Sequence, residues 1–312
     1  DDFFFANCYF FVHKLFFYER NQSQVREPGL YRFKNLSFLS SNSDRWDIDS
    51  YVSKLCRLPR SLESIEQPVV SLSNNCNRNY FHWLHFPSLI NISVVPRLVP
   101  EVLPSASFYL GPAFRPEQPT YVKDALAKLG ISSDRVRFSP TRAPRMLACH
   151  QEVTETTVSP RHIAFLRSTF MRLVPNLNGS HRLVFVARSD AEQRRLLNET
   201  EVYEHLRHRY GFKRIVLSGK GLSEQVAIFN QADVIVGPHG AGMNNIVWGR
   251  PGQILIEIFS PNHMNPLFRQ IAEVVGATYG YIIGNVAHRA RHGDYACDIH
   301  KLTRLLRLFG LD

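Results

Sequence analysis

From Pro68 onward, short apolar runs alternate with stretches whose apolar positions recur at helical spacing. Residues 69–72 read as a strand, a polar turn follows over 73–78, and 80–89 have the pattern of a helix. Another strand fits 107–110, and 121–129 have helical spacing closed by Gly130 as a glycine C-cap. A second series starts at Ser159-Pro160, which open a basic amphipathic helix running to about Val174, stopped by Pro175 and the polar loop 176–180. It continues with a strand over 183–187, helices over 191–197 and 201–210, a strand over 214–217 and a helix over 223–230. Two buried-strand patterns follow, 234–236 and 254–259, and residues 298–308 form a Leu- and Arg-rich helix. Strands and helices alternating at this spacing predict two α/β units with mostly parallel sheets, joined near residues 150–175, with a ligand cleft expected between them. Residues 1–67 are irregular, with short aromatic or β-rich runs divided by Pro28-Gly29 and the Ser/Asn-rich 37–43.

Composition narrows the class. With 312 residues, 44% hydrophobic and 21% charged, the chain is globular, with enough length for one large core or two ordinary domains. The formal charge of +10 and pI near 9.5 suit an anionic partner: a nucleotide diphosphate, a nucleic acid or an acidic membrane surface. A solvated arginine-rich surface accounts for the surplus equally well. Nucleic-acid binding would require basic residues interleaved with exposed aromatics, and no such segment is evident, so no nucleic-acid partner is expected.

Cys8, Cys56, Cys76, Cys149 and Cys297 are odd in number, widely spaced and form no C-x-x-C pair, which fits free thiols in a reducing compartment. The pattern favours a cytoplasmic protein working at the membrane face. The Asn-x-Ser/Thr sequons at Asn21, Asn35, Asn91, Asn178 and Asn198 keep a Golgi or ER lumen as the alternative, if an anchor precedes Asp1. Residues 3–18 are aromatic-rich, but His13 and Lys14 interrupt them, and the stretch is too short and polar to span a bilayer.

The candidate chemistry concentrates on residues 233–261. The strand 234–236 runs into Gly237-Pro-His-Gly-Ala-Gly242, and 244–248 read as the first turns of a helix, whose free amides and dipole attract a phosphate. The spacing matches neither the dinucleotide fingerprint nor a P-loop. His239, held between glycines at a strand's C-terminal edge, has little apolar surface to cover it, which favours a polar role. Glu257 is the one acid in the next apolar strand and is costly to bury without a partner.

Arg188 follows directly on the strand 183–187, at the ligand-binding edge of an open α/β sheet, where a guanidinium suits bidentate phosphate contact. Of Arg194 and Arg195 on the next expected helix, one reaches the ligand and the other is solvated; Asn198-Glu199 either position the following helix or line the site. His82, within Asn79-Tyr-Phe-His-Trp83, is either a core histidine among aromatics or a base near neutral pH, with His85 the weaker candidate. His288, His292, Asp294, Cys297, Asp298 and His300 cluster near the C-terminus, but Gly293 argues against the helix that a His-x-x-x-His metal pair needs, so no metal site is predicted.

Together, Asn79-Tyr-x-His-Trp83, Arg188-Ser-Asp-Ala-x-x-Arg-Arg-x-Leu-Asn-Glu199, Ser223-Glu-Gln225 with Phe229 and Ala232-Asp233, and Gly237-Pro-His-Gly-Ala-Gly-Met-Asn-Asn245 ending in Glu257 resemble glycosyltransferase family 61. The four segments stand in the family's order over roughly residues 68–285. The resemblance implies a GT-B-like α/β architecture of two facing Rossmann-type domains with a cleft between them. Residues 1–157 would be the acceptor-side domain, with 1–67 an irregular or β-rich extension, and 158–312 the nucleotide-sugar-binding domain. It implies an inverting enzyme that moves a sugar from a nucleotide-diphosphate donor, UDP-linked by expectation, to a hydroxyl of a glycan, polysaccharide or lipid-linked acceptor, with peripheral membrane contact.

Arg188, Arg195, Asn198, Glu199, His239, Gly240, Ala241, Gly242, Asn244 and Glu257 would hold the donor, Glu257 through a ribose or sugar hydroxyl. His82 would be the base, with Glu224 second. No cofactor beyond the donor is implied, and a divalent metal stays open because arginines alone can neutralise a diphosphate. The chain departs from the family's pattern at Phe86, where members commonly carry an acid four residues beyond the motif histidine. A domain of the same fold that binds nucleotide-sugar or glycan without turnover is therefore the alternative.

Overall fold

The computed structural model describes residues 4–6, 29–34, 37–38, 63–72, 79–85, 89, 92, 100–111, 114, 118–139, 141–143, 145–150, 158–171, 182–286 and 293–312. Phe86, the turn 73–78, most of residues 1–62, His288, His292 and every sequon asparagine except Asn198 lie outside them. The chain divides into two compact units, Asp1–Thr154 and Glu155–Asp312.

The first unit carries β1 (Phe4–Ala6), β2 (Gly29–Lys34), β3 (Ser37–Phe38), β4 (Glu63–Ser64), β5 (Val69–Ser71), β6 (Ser107–Tyr109), β7 (Val136–Arg137), β8 (Thr141–Arg142) and β9 (Arg145–His150). Its main sheet has the order β1-β2-β9-β5-β6-β7. The β9, β5, β6 and β7 neighbours are parallel, as the pattern predicts, while β1 and β2 extend the sheet antiparallel within the segment that reads as irregular. Helix α1 (Tyr80–His85) begins where the Asn79 side chain accepts the Phe81 and His82 amides at 2.9 and 3.3 Å, an N-cap built into the Asn-Tyr-Phe-His-Trp segment. Helix α2 (Thr120–Lys128) buries Val122, Ala125 and Leu126, three positions on one stripe, and leads into Gly130 at φ +70°.

The second unit holds helix α3 (Pro160–Phe170), capped by the Ser159 hydroxyl, then β10 (Leu183–Val186), α4 (Glu199–Tyr210), β11 (Lys213–Ile215), α5 (Leu222–Gln231), β12 (Val234–Pro238), β13 (Ile254–Phe259), α6 (Leu267–Val275), β14 (Thr278–Ile283), the short β15 (Asn285–Val286) and β16 (Tyr295–Ala296), and α7 (Ile299–Leu308). Its five-stranded sheet is parallel throughout in the order β11-β10-β12-β13-β14. All five residues of β12 are buried, which is why that strand reads as an unbroken apolar run. One face of the sheet packs Phe185, Val236, Ile256, Ile258 and Ile282 against Val202 and Leu206 of α4 and Leu302 and Leu306 of α7. The chain leaves β10 toward β11 on one side and returns to β12 on the other. The C-terminal ends of β10 and β12 thus meet at a topological switch point, where open α/β sheets bind ligands.

Three local expectations change. Residues 191–197 form bends rather than a helix: Arg194 sits at φ 53°, a left-handed conformation that breaks a helix, and the Arg195 amide is spent on Asp294. The segment after the glycine turn, Ala241–Trp248, is a 3-10 helix rather than an α-helix. Helix α6 and strand β14 are absent from the pattern reading, although Leu267, Phe268, Ile271, Ala272 and Val275 are a buried helical stripe. Among the described residues no helix is long and apolar enough to cross a membrane, and no group of His, Cys, Asp and Glu is placed to hold a metal ion.

A candidate anion site at the sheet's switch point

The glycines of β12 and of the turn after it each lie against a different neighbour. At Gly237, which pairs with Glu257 across β12 and β13, a Cβ would come within 2.8 Å of the Val186 carbonyl oxygen and 3.0 Å of the Val186 Cβ. At Gly242 it would meet the Leu217 side chain at 2.9 Å. At Gly240 it would meet the Arg188 Nε at 2.9 Å, so the guanidinium lies directly on the bare backbone of the turn. Gly237 therefore serves strand packing, and Gly240 makes room for Arg188.

Arg188 is fixed at both ends. Its amide donates to Glu199 Oε2 at 2.7 Å, and one terminal nitrogen donates to the His239 and Arg194 carbonyls at 3.0 and 3.3 Å. No described residue takes its Nε or second terminal nitrogen, which leaves one edge of the fork for an anion. Burial, and then the neighbouring Arg194 charge, pull its pKa below the usual arginine value.

Glu199 is buried, and its second oxygen accepts from Arg214 at 3.0 Å; Arg214 also donates to the Ser189 hydroxyl at 2.9 Å. The carboxylate expected to line the site instead shapes the loop that presents Arg188. Glu199→Ala would leave the Arg188 amide unpaired. It should destabilise the second unit by about 2 kcal/mol, the cost of an orphaned buried donor with little added for the half-exposed Arg214 pair. Thermal denaturation should read this as a midpoint roughly 5 °C lower.

His239 sits within a buried chain of contacts. Its Nδ1 lies 2.8 Å from Glu257 Oε1, and the Tyr279 hydroxyl donates to Glu257 Oε2 at 2.7 Å. Glu257 is fully buried, so the acid expected to hold a ribose or sugar hydroxyl has both oxygens engaged inside the protein. The imidazole stacks on Phe259, with ring centroids 4.9 Å apart, and tilts against Phe268 and His263 at 5.2 and 5.3 Å. Burial, and then the neighbouring Arg194, His239 and Arg188, lower the His263 pKa to about 4, so this ring is neutral near pH 7.

Arg195, expected to meet the ligand, is also clasped to the C-terminal segment. Arg195 donates through its amide to Asp294 Oδ1 at 2.7 Å, and through Nε and a terminal nitrogen to Oδ2 at 3.1 and 2.9 Å. Asp294 is buried, so this clasp is structural. Asn198 exchanges two 2.9 Å hydrogen bonds with the Cys297 backbone, again tying the Arg188 loop to the C-terminal segment. Arg194, by contrast, stands beside Arg188 and His263 and has a buried terminal nitrogen with no hydrogen-bond partner. Burial pushes the Cys297 thiol up to about 12, so it is an unreactive core group.

Of the remaining candidates, Gly240, Ala241 and Gly242 lie at the switch point, at the start of the 3-10 segment. Asn244 is fully buried, with neither side-chain polar atom hydrogen-bonded, and Asn245 braces the segment by binding the Gln225 side chain at 2.9 Å. Glu224 is on α5, paired with Lys220. His82 belongs to the first unit and is the half-exposed member of α1, whereas His85 is buried and stacked on Phe81 at 5.1 Å. His263 and Tyr279 carry no signal in the sequence pattern, Asp294 enters it only within a candidate metal cluster, and Arg194 is undecided there against Arg195. The nearest sequence signal was the arginine pair itself.

The glycosyltransferase 61 family model matches residues 80–256, more than half of the chain. The chain is 30% identical over 131 residues to a beta-1,2-xylosyltransferase of Arabidopsis thaliana, an alignment covering 38% of this chain and 24% of that protein. It is 30% identical over 123 residues to the beta-1,2-xylosyltransferase RCN11 of Oryza sativa subsp. japonica, covering 37% and 22%. The chain thus spans about a quarter of the length of the relatives it matches.

Proposed function

The chain belongs to the glycosyltransferase 61 family, and from that premise we propose that it transfers a sugar, with inversion, from a nucleotide-diphosphate donor to a hydroxyl of a glycan or polysaccharide. The observation that carries the donor reading is the open edge of the Arg188 guanidinium, laid on Gly240 at the switch point. The first amides of a helix have no partner within it, and together with Arg188 and Arg194 they offer positive charge to a departing diphosphate. In the transfer, the acceptor oxygen forms its bond to the anomeric carbon as the bond to the diphosphate oxygen breaks, and that oxygen keeps the electron pair. A base takes the acceptor's proton; His82, the half-exposed histidine of α1, is the residue proposed for it. Both relatives are named for xylosyl transfer, so a UDP-linked pentose is the first donor to test.

A second reading is favoured by Phe86, which stands where family members commonly carry an acid: the domain binds the nucleotide-sugar without turnover. Thermal denaturation with a panel of nucleotide-sugars, followed by assay of nucleoside-diphosphate release with candidate acceptors, separates the two. UDP and UDP-xylose should stabilise the chain by about 2.7 kcal/mol at a hundred times Kd. Release that depends on acceptor supports transfer; stabilisation without release supports the second reading. No shift with any nucleotide at millimolar concentration would sink both.

A further inference from the structure

The imidazole of His239 has one nitrogen committed and one open. Burial, and then the Glu257 charge, push the Tyr279 pKa up, so the phenol keeps its proton and can only donate to Glu257 Oε2. A carboxylate oxygen accepts, so the proton between Glu257 Oε1 and His239 Nδ1 belongs to the imidazole. Phe259 and Phe268 flank the ring and hold it in this orientation. In the neutral ring Nε2 then carries a lone pair, which repels a phosphate oxygen, and no described residue takes that nitrogen. The His239 carbonyl meanwhile holds Arg188, and the ring adjoins His263 in the same cationic neighbourhood.

We infer that the nucleotide-sugar is bound together with one proton, taken from solvent at His239 Nε2, and that Glu257 is the positioning residue that makes this the group protonated. The inference rests on the donor site proposed above. The step adds one proton and changes no other bond: the imidazolium formed is balanced by Glu257 on one side and by the donor's phosphate on the other. The charged and titratable groups around the His239–Glu257 pair are Tyr279 on β14, Tyr295 on β16, His263 after β13, and Arg188 and Arg194 after β10; Arg269 on α6, itself paired with Glu273, reaches Tyr279. His263 is the one other group there with an uncharged ring able to take a proton, so it is the rival to be tested.

The experiment is calorimetric titration of the full chain with UDP-xylose, whose two diester-type phosphates do not titrate near neutrality, from pH 6.5 to 8.5 in buffers of differing ionisation enthalpy. The expected result is uptake approaching one proton per nucleotide-sugar at the upper end of the range, with Kd weakening toward tenfold per pH unit. His239→Gln should bind with no uptake and a flat pH profile. Glu257→Gln should lower the uptake at a given pH, and His263→Gln should leave it unchanged. If Glu257→Gln does not fold, His239→Gln decides. Binding without proton uptake in the unsubstituted chain overturns this inference and leaves the donor site standing, as does uptake lost in His263→Gln but kept in His239→Gln. Absence of any nucleotide binding overturns the donor site and the inference with it.

Discussion

Arg188→Ala should weaken UDP-xylose binding by about 10- to 100-fold. The estimate follows from losing one charge-assisted contact to a phosphate, about 1.5–3 kcal/mol, at 1.4 kcal/mol per tenfold. The side chain does more than carry charge, because its terminal nitrogen also bridges the His239 and Arg194 carbonyls and holds the turn against the loop. Arg188→Lys separates the two contributions. An ammonium keeps the charge but cannot bridge both carbonyls and still present an open edge, so its affinity should fall between those of the unsubstituted chain and the alanine variant. An unchanged Kd in Arg188→Ala, measured calorimetrically at fixed ionic strength, would place the donor elsewhere.

His82→Ala should lower turnover by about 10²–10⁴-fold, the range over which a positioned base contributes, while leaving the donor's Kd within twofold. Phe81, Trp83, Leu84 and His85 are all buried, whereas His82 is half-exposed and its ring meets Phe81 edge-on with centroids 5.4 Å apart. Normal turnover in the variant would remove His82 from the mechanism. A parallel loss of donor affinity would mean that it acts through binding rather than proton transfer.

The two arginines show where sequence reading stops. Arg188 is legible because it directly follows the apolar run 183–187, and the end of a parallel strand is where such sheets meet ligands. The choice between Arg194 and Arg195 is not legible, because adjacent side chains point opposite ways and the turn at φ 53° decides which faces inward. Glu257 is a comparable case. An acid in an apolar strand announces a partner, but naming Tyr279 requires the register of β13 on β14, where Leu255 pairs with Tyr279, and naming His239 requires the register of β12 on β13. The strand order was out of reach for the same reason: the apolar pattern marks β10 and β12 as buried without revealing that they are neighbours, and the switch point exists only once they are. Helix α6 was within reach, since its buried stripe is plain in the residues themselves.

The clasp between Arg195 and Asp294, and that between Asn198 and Cys297, each join residues 99 positions apart. A growing chain therefore completes all five strands of the second sheet before the partners of the Arg188 loop exist. Until Asp294 to Cys297 have left the ribosome, the nascent protein has a sheet but a loosely held loop, and the entropy of closing so long a span falls late in folding. The proposed donor site should therefore be among the last parts of the molecule to take shape as it is made.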